Sequence, residues 1–336
     1  MILVTGGTGL VGAHLLLQLA AGKKAVRALY RSEASKAKTK LLFEHYNKSI
    51  LFEKIVWAKG DITDIPALEE AFANVTHVYH CAAYISFDPS DEELLRKVNI
   101  EGTANIVNCA LAFGVRKLCH VSSIAALGDP KENEPTITEK TEWNPEMRHS
   151  DYAITKHGAE MEVWRGGQEG LEVVVVNPGL IFGYGFWTQG TGRMFKAVCK
   201  GQYFYTKGSC GVVAVEDVVG IMQLLMRADV TGERYTLVAG QLSYREILFA
   251  IADGLGKKRP TIYASRALTS VAWRLDWLLA KIAQRKRLMT HAMAKASHNH
   301  ENYDNSKIIA VLDYKFTEVK QYIKQLASTA SSSKHL

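Results

Sequence analysis

Cysteine is scarce in this chain. The five residues Cys81, Cys109, Cys119, Cys199 and Cys210 are an odd set, and no two are close in sequence. Their neighbours are apolar. This excludes a disulfide-stapled secreted scaffold and predicts reduced, mostly buried thiols. Long apolar runs are missing too. No stretch of membrane-spanning length is free of charges, and the mean hydropathy of -0.06 argues against an integral membrane protein. A strand is expected from residue 2, which leaves no room for a signal peptide before it and predicts a cytoplasmic protein. Metal-ligand spacing is absent. His291, His298 and His300 lie near one another without placed cysteines or acids, and they read as surface histidines, so no metal is expected. The formal charge of +7 is modest for 336 residues. Basic residues gather in 23–40 and 257–287, but no aromatic-interleaved basic motif accompanies them, so nucleic acid is not an expected partner. A solvated basic face, or attraction for an anionic cofactor, accounts for them.

What is present begins at the first residues. Met1-Ile2-Leu3-Val4 reads as a buried strand, Thr5-Gly6-Gly7-Thr8-Gly9 as a turn, and Leu10 to about Ala20 as a helix. Gly6, Gly9 and Gly12 are spaced by three. In a dinucleotide site the first glycine permits the tight turn, the second lets the backbone approach a pyrophosphate, and the third lets the helix pack on the strand. The helix N-terminus offers free N–H groups and a positive dipole end. Gly6, Thr8, Gly9, Leu10, Val11 and Gly12 are therefore candidate cofactor contacts. A glycine-rich turn alone is a weak signal; its place between strand and helix is the confirming context.

Further strands are predicted at 25–30, 55–58, 77–80, 117–121 and 173–176, alternating with helices that include one from about Leu94 to Phe113. This alternation predicts an α/β fold, a doubly wound parallel sheet of the Rossmann type. Residues 1–179 form the nucleotide-binding part and 180–327 mainly a smaller substrate-binding region. About 212–250 return to the sheet, and a disordered tail follows from Ser328. The second strand ends in Tyr30-Arg31-Ser32, where an acid would accept from a ribose 2′-OH. Arg31 instead suits a 2′-phosphate, hence NADP(H) over NAD(H); a surface arginine at a strand end is the alternative. Asp61, followed by Ile62, either accepts from an adenine amino group or caps the helix near Pro66. Ala82 and Ala83 after the fourth strand leave room for a ribose.

The fifth strand runs into Ser122-Ser123, and a polar loop with Pro130, Pro135 and Pro145 leads to Tyr152-Ala153-Ile154-Thr155-Lys156. Tyr152 and Lys156 fall on one helical face. Asn177-Pro178-Gly179 closes the sixth strand. Residues 182–205 are rich in aromatics, and Phe87, Phe182 and Trp187 are candidate substrate contacts for an apolar carbonyl compound. Between Ala267 and Gln284, Leu268, Val271, Leu275, Leu278 and Ile282 recur at helical spacing with basic flanks. A helix packed over the substrate site is expected there; a membrane-surface role is the alternative.

Together, Thr5–Gly12, His80-Cys81-Ala82-Ala83, Val121-Ser122-Ser123, Tyr152-x-x-x-Lys156 and Asn177-Pro178-Gly179 resemble the extended short-chain dehydrogenase/reductase family, the NAD-dependent epimerases and dehydratases. The look is nearest the dihydroflavonol reductase and 3β-hydroxysteroid dehydrogenase branch. The resemblance implies that Tyr152 exchanges a proton with the substrate oxygen and that Ser123 holds that oxygen. It implies that Lys156 lowers the tyrosine pKa and bonds the nicotinamide ribose, and that Pro178 and Gly179 line the nicotinamide. Asn99 either supports a proton relay or fixes a helix to the sheet. A homodimer is common in the family. The expected reaction is hydride transfer between nicotinamide and a carbonyl or alcohol. A nucleotide-sugar epimerase or dehydratase, and a nucleotide-sensing protein without catalysis, are the alternatives; Tyr30 and Asn177 depart from the sugar epimerases' usual acid and arginine.

Overall fold

The computed structural model describes residues 1–130 and 136–331, so Pro135 and residues 332–336 fall outside the described residues. Strands β1 (Ile2–Thr5), β2 (Val26–Tyr30), β3 (Val56–Lys59), β4 (His77–His80), β5 (Lys117–Val121) and β6 (Glu172–Pro178) lie within about a residue or two of their predicted places. The chain then adds β7 (Leu180–Phe182), β8 (Ser209–Ala214), β9 (Glu233–Leu237) and β10 (Gly240–Ser243). The main helices are α1 (Leu10–Leu19), α2 (Glu33–His45), α3 (Ile65–Phe72), α4 (Gly102–Ala112), α5 (Asp151–Gln168), α6 (Val215–Leu225), α7 (Tyr244–Leu255), α8 (Arg266–Ile282) and α9 (Val319–Ser331).

Seven strands pair in parallel in the order β9-β6-β5-β4-β1-β2-β3. Both faces are apolar, which is what continuous runs such as Val173–Val176 require. Alternate residues divide between the faces. Val4, Ala28, Val174 and Val176 join one core with α6, while Leu3, Leu29, Val173 and Val175 join another with α4. The chain leaves β1 toward β2 and β3, then returns to β4 and builds the other way. The topological switch is thus between β1 and β4, where a crevice opens beyond the strand ends. Of the stretch 212–250, α6 packs on the first core and β9 is the last strand of the sheet, whereas β10 and α7 belong to the smaller region.

The smaller region has its own core. Phe182, Tyr184, Phe186, Trp187 and Phe195 pack with the buried faces of α7 and α9. Helix α7 starts in a capping box, Ser243 with Glu246, and stops at Gly256 in the left-handed region. Three expectations fail here. The C-terminal helix continues through Ser331 with Ala330 buried, so no disordered tail begins at Ser328. His298 is buried and bonded to Thr269 Oγ1 at 2.9 Å, because α8 folds back onto it; His291 and His300 are exposed as expected.

The third failure is α8 itself. Its leucine stripe does not cover the substrate site but faces outward. Leu268, Val271, Leu275, Leu278, Leu279 and Ile282 are all exposed, whereas Thr269, Asp276 and Ala280 are buried. Polar contacts set this orientation: Thr269 with His298, and Asp276 with Arg285 (2.6 Å) and the N–H groups of Leu288 and Met289 (2.8 and 3.0 Å). Among the described residues no helix is long and apolar enough to cross a membrane.

Candidate active site

The glycine turn sits at the switch point. Gly6 has φ +67°, and a Cβ there would lie 2.6 Å from the backbone of Cys81 and Ala82, so only glycine lets the exits of β1 and β4 approach so closely. A Cβ on Gly12 would collide with the carbonyl of Gly6. Gly9 is different: its missing Cβ would meet only ordinary contact, 3.5 Å from Gly6 O. It is the N-cap of α1 and provides no side-chain cap. The first N–H groups of α1, from Leu10 to Gly12, therefore lack a capping side chain, an arrangement suited to an anion. Gly7, which sequence reasoning left without a role, is needed for packing, since a Cβ would press on Leu16 at 2.9 Å.

At the far end of the crevice, Arg31 reaches Asp61 across the ends of β2 and β3 (3.6 Å), with its guanidinium largely in solvent. The N-cap of α3 is Asp64, which accepts from Ala67 N, so Asp61 does not cap that helix. Instead one Asp61 oxygen accepts from the Thr63 N–H and hydroxyl, at 3.0 and 2.9 Å, and the other faces Arg31. Lys36 lies over the rings of Tyr30 and Trp57 at 5.1 and 5.6 Å. Glu33 is occupied by the Tyr30 hydroxyl (2.7 Å). Ile62, by contrast, is a core side chain packed on Gly102, so only its backbone is left for a ligand.

The two serine-loop and helix motifs meet beyond β5. Ser150 caps α5, accepting from Ala153 N at 3.2 Å, and this places Tyr152 in the first turn. The Ser123 side chain lies close enough to the Tyr152 phenol to act on its ionisation. Ser123 Oγ also accepts from Ala125 N (3.1 Å). The Phe87 ring stands edge-on to Tyr152 with centroids 5.6 Å apart, so of the three candidate substrate residues Phe87 is at the site. Phe182 and Trp187 are not. They are closed into the smaller core, Trp187 against Phe195 at 5.3 Å, because the aromatic run 182–195 supplies that core.

Lys156 is only 1% exposed. Its Nζ donates to Val121 O at 2.9 Å and lies 3.4 Å from His120 Nε2. Burial pulls its pKa down to about 8, against the raising influence of the Glu160 carboxylate. The expected depression of the tyrosine is therefore not seen: burial pushes the Tyr152 phenol up, and only the Ser123 side chain opposes it. The Lys156 ammonium is turned to the strand carbonyl.

Behind this trio is a buried polar row that sequence reasoning missed. The register aligns Thr5, His80 and His120 on neighbouring strands. His80 bonds Thr5 Oγ1 (2.7 Å) and Thr103 Oγ1 (3.0 Å), and burial first, then Lys156, brings its pKa down to about 3. His120 is likewise held well below its usual value, by burial and by Lys156. Glu160 is fully buried. It accepts from Asn177 Nδ2 at 2.5 Å and pairs with Arg234 at 3.3 Å, while the same Asn177 nitrogen donates to Ser123 O at 3.0 Å. Asn177 thus anchors the serine loop. The signal for Glu160 was available, since Tyr152, Lys156 and Glu160 repeat at four-residue spacing on one face. Asn99 sits in a π-helical turn, Arg96–Glu101, and bonds Tyr84 N (2.7 Å), Tyr84 O (3.0 Å) and Thr155 Oγ1 (3.1 Å). It ties the loop after β4 to α5. Pro178 is buried at the end of β6, and a Cβ on Gly179 would collide with Gly211 O, so Gly179 lets β8 cross closely.

A family model for the NAD dependent epimerase/dehydratase family matches residues 2–238. The chain belongs to that family. It is accordingly a nicotinamide-dependent enzyme of the extended short-chain dehydrogenase/reductase type. Among curated relatives, sterol demethylase protein B of Methylococcus capsulatus is 30% identical over 264 residues, covering 77% of this chain and 76% of that protein. The 3beta-hydroxysteroid-dehydrogenase/decarboxylase isoform 1 of Arabidopsis thaliana is 24% identical over 93% of this chain and 75% of its own length. The NAD complex of UDP-glucose 4-epimerase from Thermus thermophilus superposes with a TM-score of 0.75 at 22% identity, over 99% of each chain. This family member therefore keeps the fold of the epimerases while its sequence relatives include steroid-type enzymes.

Proposed function

We propose that this family member is an NADP(H)-preferring oxidoreductase that interconverts an apolar ketone or aldehyde and its alcohol, running as a reductase near neutral pH. The observation that carries the reading is the Ser123–Tyr152 hydroxyl pair beside Phe87, with Lys156 one turn behind. The cradle fits a dinucleotide. Gly6 and Gly12 bring strand and helix together, Gly9 leaves the helix end open for the pyrophosphate, and Arg31 with Lys36 supplies positive charge for a 2′-phosphate. When bound, the nicotinamide supplies or accepts the hydride.

The protein's own part is proton and position. A carbonyl oxygen accepting from both Ser123 and Tyr152 is held by two donors. Because burial raises the Tyr152 phenol, it keeps its proton at neutral pH and is prepared to donate to an oxygen gaining negative charge. The reverse reaction needs the phenolate and is favoured at higher pH. Asn177, bonded to Ser123 O and to buried Glu160, keeps the serine in place. Phe87 offers an apolar wall. The relatives' steroid and sterol names agree with an apolar substrate. The test is a screen of ketones, aldehydes, alcohols and nucleotide sugars with NADPH and NADH, read at the nicotinamide absorbance. Net NADPH oxidation with an apolar carbonyl is expected. Turnover of a nucleotide sugar with no net absorbance change would overturn the reading in favour of an epimerase.

A further inference from the structure

We propose that the outward face of α8 docks on the surface of an anionic lipid membrane, lying in the interface without crossing it. This does not depend on the assigned reaction. The helix is built inside out for a water-facing element. Its buried stripe is Thr269, Asp276 and Ala280, and its exposed stripe is leucine, valine and isoleucine, with Ile282 72% exposed. An ordinary surface helix hides such a stripe. Here the orientation is held by the buried Asp276, which binds Arg285 and two backbone N–H groups, so the stripe is not free to roll inward.

The chemistry of the face selects the occupant. Val271, Leu275, Trp277 and Leu278 line a hollow of about 650 Å³, a size and character that suit acyl chains. Trp277 and Trp273 carry cations on their rings, Lys281 at 5.6 Å and Arg274 at 4.5 Å. Neither Arg274 nor Lys281 has a carboxylate within ion-pair distance among the described residues. Between 257 and 287 the only acid is Asp276, and it is buried and already paired. An apolar stripe flanked by tryptophan and unpaired cations is the signature of a helix seated at the headgroup level. A second copy meeting this face across a two-fold axis would bring like cations together with no acid to match them. The face is also continuous with the site's mouth. Arg287 borders both the hollow and a smaller recess with Phe87 and Ser150, and Ile85, Phe87 and Leu288 around it are exposed.

The test is flotation of the full-length protein with vesicles of phosphatidylcholine alone and of phosphatidylcholine with phosphatidylglycerol. The wild type should float with the anionic vesicles, weakly or not at all with the neutral ones, and less as salt rises. Arg274→Gln and Lys281→Gln should each weaken binding about five-fold. The pair Leu275→Gln and Leu279→Gln should weaken it by about a hundred-fold, roughly ten-fold for each leucine withdrawn from the lipid. Circular dichroism, melting and NADPH affinity of these variants should match the wild type, since the side chains are exposed and remote from the cradle. A wild type that stays unbound with both vesicle types would overturn the proposal, as would a leucine variant that floats equally well. So would a wild-type oligomer that the leucine variant dissociates, which would mark the face as a contact between copies of this chain.

Discussion

Lys156→Met should make the free protein more stable at neutral pH while disabling it. Lys156 is 1% exposed, and burial brings its pKa from 10.5 to about 8. At about 1.4 kcal/mol per pKa unit, holding the ammonium inside costs the wild type about 3 kcal/mol near pH 7, where the folded and unfolded forms are both charged. Methionine has no such cost. It loses the hydrogen bond to Val121 O, worth about 1 kcal/mol, so the net gain near pH 7 is about 2 kcal/mol. The pH dependence separates the two contributions. Between the folded value of about 8 and the unfolded 10.5, the unfolded wild type binds more protons than the folded, so its stability rises with pH. Near pH 9.5 only about 1 kcal/mol of the burial cost remains, and the variant's advantage should shrink by about 2 kcal/mol. Urea unfolding of both proteins at the two pH values measures this, with shared titrations cancelling in the difference. A gap of the same size at both pH values would show that Lys156 is solvated, with the same pKa folded and unfolded, and would refute the reasoning.

Other expectations concern the site more directly. Tyr152→Phe removes one hydroxyl at the Ser123 pair, so turnover should fall by about 10²–10⁴-fold with little change in melting temperature or NADPH affinity; near wild-type turnover would remove Tyr152 from the chemistry. Arg31→Ala should weaken NADPH by about 1–2 kcal/mol, the charged hydrogen-bond range reduced for a largely solvated group, and hardly affect NADH. Equal losses for both cofactors, by titration at low salt, would mean that Arg31 does not meet the 2′ position. Gly12→Ala places a methyl group against Gly6 O, so it should destabilise the fold by about 1–3 kcal/mol and weaken both cofactors alike, seen in urea unfolding and fluorescence titration. A Gly12→Ala protein as stable as the wild type would show that α1 can move away from the turn at no cost.

The frame and the chemistry it offers were readable from the residues alone. The strand–glycine–helix start, the parallel sheet and the Tyr152–Lys156 pair were legible because each rests on short-range geometry. Apolar runs set a buried strand, a Cβ has no room at Gly6 or Gly12, and a four-residue step returns to the same helical face. Which of the offered side chains meet depends on how distant segments pack. Arg31 and Asp61, Lys156 and His120, and Asn177 with both Glu160 and Ser123 are brought together by strand register and helix docking across long sequence separations. Aromatic content alone did not distinguish Phe87, which stands against Tyr152, from Phe182 and Trp187, which fill a core, because burial depends on what packs from elsewhere. The outward turn of α8 was hidden for the same reason. Hydrophobic periodicity shows that a helix has an apolar face, but the buried contacts of Thr269 and Asp276, made with residues 285–298, decide which way that face looks.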